Sequence, residues 1–131
     1  MPQVRQREDF EPAFQFTERE RAQALIVLTS RLMSSNHQLI GGFIARSGLI
    51  LVGVPSWLIE FGALLTYGPD LAEMNRRAAI YVDKILKGAR PVDLPMEQPS
   101  AFNLHLNLSA AKRLGIRVPA SVLARADSII D

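Results

Sequence analysis

Three short apolar runs limit most strongly what this chain can fold into: ALIVL at 24–28, LILVGV at 49–54 and ALLTY at 63–67. Each is too short for a helix of ordinary length and is rich in Leu, Ile or Val. The first two are continuous, without polar alternation, and such runs read as strands buried on both faces of a parallel sheet. The stretches between them carry helical periodicity. Residues 8–23 place Phe10, Ala13, Phe14 and Phe16 on one side, with Pro12 in the first turn where its missing N–H does no harm. Residues 31–46 place Leu32, Leu39, Ile40 and Phe43 together, and Gly41-Gly42 mark close packing. Pro55-Ser56 open a short helix to Phe61. Strand and helix alternating in this way imply an α/β fold, a mostly parallel sheet with helices on both faces. Val4 is expected to end a short additional strand before the first helix.

The stretch TYGPDLAEMNRRAAIYVDKILKG, 66–88, is the most regular unit. Asp70 is an N-cap with Glu73 at capping-box spacing. Leu71, Met74, Ala78, Tyr81, Val82 and Ile85 repeat at helical spacing and predict a buried stripe. Gly88 stands where a helix ends in left-handed backbone, after Lys84 and Lys87 at the negative end of the helix dipole. ARPVDLPMEQPS then reads as an extended connector. FNLHLNL alternates strictly, with Asn103, His105 and Asn107 on a wet face, and predicts a strand near an edge. Ser109 is read as the cap of a short helix, and Pro119-Ala120-Ser121 as the start of a last helix running to the C-terminus.

A length of 131 residues fits one domain, with enough chain to bury a core. Net charge is +2, and the basic residues are dispersed rather than striped, so no nucleic-acid partner is expected. The absence of cysteine removes disulfides, thiol catalysis and thiolate metal sites together. The N-terminus lacks the apolar core of a signal peptide, and no apolar run is long enough to span a bilayer.

Catalytic constellations are missing from the sequence. His37 and His105 have no metal-ligand spacing, and read as surface or rim histidines. No Walker loop, G-x-G-x-x-G or G-x-S-x-G occurs, so no cofactor, metal or catalytic residue is expected. The serines Ser30, Ser34, Ser35 and Ser56 have no base near them in sequence. Asp70 and Glu73 read as helix capping, and Trp57 with Phe61 as either a pocket wall or a rim. One positional argument remains, because ligands of open α/β sheets sit outside the carboxyl ends of the strands. Three places meet that condition, and they give the candidate ligand-binding residues Thr29, Ser30, Ser56, Trp57, Thr66 and Tyr67. Hydroxyls and aromatic faces beside helix starts suit a small polar or aromatic solute.

The Tyr67-Gly68-Pro69 turn, Arg76-Arg77-Ala78-Ala79, the run from Tyr81 to Gly88, Asp93-Leu94-Pro95, Glu97-Gln98-Pro99 and the closing Leu123-Ala124-Arg125-Ala126-Asp127 carry more than architecture. Together they resemble the C-terminal part of ABC-transporter solute-binding proteins of the periplasmic-binding-protein type, in the tryptophan/tyrosine class. The likeness is dense from about Phe61 onward and weakest at 31–60. It implies a clamshell of two α/β lobes with the solute in the cleft and closure read by a membrane permease. On that template residues 1–60 are second-lobe-like, 61–90 a strand–helix return unit, and 91–131 connector, edge strand and C-terminal helices. The first lobe is then absent, and the stripe on 71–85 loses its usual neighbours. The unit then either docks on the chain's own remaining sheet or is exchanged with a second copy, and a symmetric homodimer is the expected outcome. The resemblance implies a non-catalytic binder of a small solute, an aromatic amino acid among the candidates, in the periplasm. If the chain is the complete product, a cytoplasmic dimeric remnant or interaction protein that no longer binds solute is the alternative.

Overall fold

The computed structural model describes residues 2–131. Its centre is a five-stranded sheet in the order β1 (Ala24–Val27), β2 (Ile50–Gly53), β3 (Leu65–Pro69), β4 (Phe102–Asn107) and β5 (Ser128–Ile130). β1–β2, β2–β3 and β4–β5 are parallel pairs, while β3 and β4 are antiparallel. The fold is therefore α/β with a mostly parallel sheet, as the alternating pattern requires. The helices are α1 (Phe10–Arg19), α2 (Arg31–Ser35), α3 (His37–Ser47), α4 (Leu71–Leu86), α5 (Leu108–Arg113) and α6 (Ala120–Leu123). A 3-10 helix at Ser56–Phe61 joins β2 to β3.

The core lies between α1, α3, the 3-10 helix and one face of β1 and β2. Phe10, Phe14, Phe43, Ile40, Leu51 and Leu58 are its largest members. Phe14 stacks on Phe43 with ring centres 4.0 Å apart, which ties α1 to α3. Gly41 is the close approach that its sequence position suggested. A Cβ there would lie 2.0 Å from the Phe61 ring, whereas one at Gly42 meets nothing nearer than 4.0 Å.

Several local expectations are corrected. Among the described residues no strand forms before α1, because the Asp9 carboxylate accepts the backbone N–H groups of Arg5 and Gln6 and bends the chain into a helical turn. Val4 packs against the core instead. The first helix ends at Arg19 rather than near 23, since Arg21 takes a left-handed conformation at φ 51°. The expected helix 31–46 is broken at Asn36, which is buried. Its amide donates back to Leu32 O of α2 at 2.9 Å and its Oδ1 accepts from Arg7 Nη1 at 3.0 Å, so it ties the end of α2 to the segment before α1. The run 24–28 is not buried on both faces: Ile26 in β1 is 69 % exposed and Leu28 just after it 66 %, because one face of this edge strand is uncovered.

α4 begins and ends as its sequence dictates. Asp70 accepts the Glu73 backbone N–H at 3.0 Å, and Gly88 follows the helix at φ 100°. Its apolar stripe, however, is not buried. No residue of α4 is buried, and Leu71, Val82, Ile85 and Leu86 stand exposed. The connector retraces the helix instead of leaving it. Tyr81 Oη donates to Pro95 O at 2.8 Å, Arg77 Nη1 donates to Ser100 Oγ at 3.0 Å, and Arg77 pairs with Glu97. This return brings Ala101 O to the Asp70 N–H at 3.0 Å, beside the start of α4. β4 must then run back along β3, which is why this pair alone is antiparallel.

β4 lies near an edge, one strand in from it, because the chain closes with a short strand the sequence reading missed. α6 stops at Leu123 instead of reaching the C-terminus, and Ser128–Ile130 pairs with β4. Asn107, not Ser109, caps α5. Its Oδ1 accepts the Ala110 N–H at 2.7 Å, and helix already runs from Leu108.

Candidate functional site

A cavity of about 530 Å³ opens at the carboxyl ends of β1, β2 and β3. Thr29 closes it on the β1 side, Val54 and Pro55 at the end of β2, and Gly68 and Pro69 at the end of β3. Asp70, Leu71 and Ala72 bring in the first turn of α4. The antiparallel return of β4 adds Asn103 and His105, which pair in register with Gly68 and Thr66. The wall is mainly apolar with a few polar groups, and the volume lies within the range of small-molecule sites.

Trp57 is the main aromatic surface. The 3-10 helix places it between His37 and Phe61, with ring centres 5.8 and 6.0 Å away, both at steep angles. His37 is itself fixed by a 2.9 Å contact between Nδ1 and Ser34 O. The indole Nε1 is buried and has no hydrogen-bond partner among the described residues. Asp70 is the one formally charged side chain lining the cavity. The Glu73 backbone N–H holds its carboxyl below the usual carboxylate range, opposed by partial desolvation and assisted by the Asn103 side chain.

Of the six residues expected to contact solute, Thr29, Ser56 and Trp57 meet at this cavity. The other three lie elsewhere. Ser30 Oγ accepts the Met33 N–H at 3.1 Å as the cap of α2. Tyr67 turns away from the cavity and stacks on Phe102 at 5.6 Å. Thr66 is fully buried, and its hydroxyl has no partner among the described residues. An unpaired buried hydroxyl is destabilising. Thr66→Val is therefore expected to raise the unfolding free energy by about 1 kcal/mol. Urea denaturation checks this, and a loss of stability would mean that the hydroxyl is satisfied in solution.

Asn103, His105 and Ser34 line the cavity but were not among the residues expected to contact solute, and Asp70 was read only as a cap. The strict alternation of FNLHLNL was the available signal for the first two, since it puts both polar residues on one face. Among the described residues no group of three His, Asp or Glu side chains is placed to hold a metal ion.

A protein-family model described as ABC transporter substrate binding protein matches residues 3–130, nearly the whole chain. The chain belongs to the ABC transporter substrate-binding protein family. Among solved structures, this family member resembles a conserved domain protein from Vibrio cholerae O1 biovar El Tor. The identity there is 29 % and the TM-score 0.81, over 95 % of this chain and 42 % of the other. An ABC domain from Streptococcus pneumoniae in complex with L-Trp shares the fold at TM-score 0.86 and 22 % identity, over 97 % and 44 %. A ligand-free, open substrate-binding protein with adhesive properties from Clostridium difficile does so at TM-score 0.63 and 19 % identity, over 92 % and 41 %. The chain thus spans about two-fifths of the length of the solved structures it matches. Among curated protein sequences, none matches it.

Proposed function

We propose that this substrate-binding protein chain holds a small solute, without chemistry on it, in the cavity at the carboxyl ends of β1–β3. The observation that carries the reading is the convergence there of Thr29, Ser56 and Trp57 with the first turn of α4. It is the position where open α/β sheets bind ligands. An aromatic amino acid is the solute class we favour. The Trp57 ring offers a stacking face, and one structural neighbour is in complex with L-Trp. In this reading residues 1–60 belong to one lobe, 61–90 return to the other, and 91–131 carry the chain back. In the same reading the protein works in the periplasm and hands the solute to an ABC permease in the membrane. No described helix is long and apolar enough to cross a membrane.

Calorimetric titration with L-tryptophan, L-tyrosine and L-phenylalanine tests the reading. Saturable binding of at least one is expected, weakened about tenfold or more by Trp57→Ala, on the order of 1.4 kcal/mol. No saturable heat from any of the three, or binding indifferent to Trp57→Ala, would refute it.

A second reading concerns assembly. The exposed stripe on α4 favours a two-fold dimer with a second copy of the chain. The helix carries Asp70 and Glu73 at its start and Lys84 and Lys87 at its end. Two copies packed antiparallel would bring acidic ends to basic ends while covering Leu71, Val82 and Ile85 on both.

A further inference from the structure

We propose that Asp70 makes this cavity selective for amphipathic solutes carrying a protonated amine, and that it discriminates against solutes whose only charge is a carboxylate. The inference rests on the reading of the cavity as the solute site and names the head group that site takes.

The start of a long helix ordinarily favours anions, because its first N–H groups are free and the dipole is positive there. At α4 that place is already filled. The Asp70 carboxylate accepts the Glu73 N–H at 3.0 Å, so its negative charge answers the helix end before any solute arrives. It remains part of the cavity wall. The neighbouring charges do not reverse its sign. Arg76 acts on Asp70 at longer range but lies 3.3 Å from Glu73, with which it pairs. Across the strand pair, Asn103 is neutral and lines the same cavity. His105 is the remaining titratable group of the lining.

The same wall is mainly apolar, with Val54, Pro55, Trp57 and Leu71 among its residues. A cation with an apolar body satisfies both surfaces at once. A bare carboxylate would face like charge in a partly desolvated space, where repulsion is stronger than in water. The juxtaposition of one ionised carboxylate with an indole therefore specifies a head group and a body in the same cavity.

Three probes with the same ring separate the possibilities: L-phenylalanine, phenethylamine and 3-phenylpropionate, titrated calorimetrically into the full chain. Phenethylamine is expected to bind within about threefold of L-phenylalanine, and 3-phenylpropionate at least tenfold more weakly. Asp70→Asn keeps a good N-cap while removing the charge. It is expected to leave the melting temperature nearly unchanged, to weaken both amines about tenfold or more, and to leave 3-phenylpropionate unchanged or tighter. If 3-phenylpropionate binds as well as phenethylamine, or if Asp70→Asn preserves the order of the three, the cavity is still a solute site and the selectivity of Asp70 is wrong. If none of the three binds, the solute reading and this inference fall together.

Discussion

Phe43→Ala is expected to lower the unfolding free energy by about 3–5 kcal/mol. Phe43 is completely buried and stacks on Phe14, and with Ile40 and Ile44 it forms the apolar face of α3. Removing the ring deletes the contact that joins α1 to α3, in a core where Leu51 and Leu58 already occupy the neighbouring space. Partial collapse would recover some of the loss, which sets the lower end of the range. A domain of this size has a total stability of roughly 5–15 kcal/mol, so the variant should be close to unfolding at room temperature. Urea denaturation followed by the emission of Trp57, the single tryptophan, measures it directly. Met96→Ala, at a fully exposed side chain of the connector, is the control and should change stability by less than about 0.5 kcal/mol. A loss below about 1 kcal/mol for Phe43→Ala would contradict this account of the core.

Val82→Asp is expected to convert a dimer into a monomer, raising the dissociation constant at least about a hundredfold, on the order of 2.7 kcal/mol. Val82 lies on α4 with Leu71 and Ile85, and it is exposed within a single chain. A charge at that position costs the isolated chain little, whereas in an interface between two copies it would be buried without a partner. The readout is therefore selective: sedimentation velocity should report the loss of the dimer while the fold of each chain is kept. A wild-type chain that sediments as a monomer at high concentration would refute the two-fold assembly. So would a variant dimer as tight as the parent.

The ends of α4 were legible in the sequence because they depend on local chemistry. A carboxylate three residues before a backbone N–H, and a glycine at left-handed φ, act within one turn, and Asp70 and Gly88 do what their positions imply. The parallel arrangement of β1, β2 and β3 was legible for a similar reason, since each run is apolar and helical stretches join them. What failed depended on partners distant in sequence. The stripe on α4 has the periodicity of a buried face, and periodicity does not say which surface will cover it. The strand beside FNLHLNL went unread because SII near the C-terminus is too short to announce a strand, and its pairing with β4 comes from the sheet rather than from its own pattern.

The site divides along the same line. Thr29, Ser56 and Trp57 follow from their places after β1 and β2, where the parallel-sheet rule applies residue by residue. Thr66 and Tyr67 were assigned to the end of β3, but β3 continues to Pro69, which leaves Thr66 inside the sheet and Tyr67 stacked on Phe102. Asn103 and His105 enter the cavity because the connector retraces α4 and starts β4 at the carboxyl end of β3. That reversal is fixed by contacts such as Tyr81 to Pro95, and no local pattern in the strand encodes it.

The most direct test of the central claim is to map where a solute binds, by following backbone amide resonances of the isotope-labelled chain during titration with L-phenylalanine. The account predicts that the perturbed amides cluster around Thr29, Ser56, Trp57, Asp70, Asn103 and His105, at one end of the sheet. Perturbations confined to the groove between α4 and the connector, around Tyr81 and Glu97, with the strand ends silent, would contradict it.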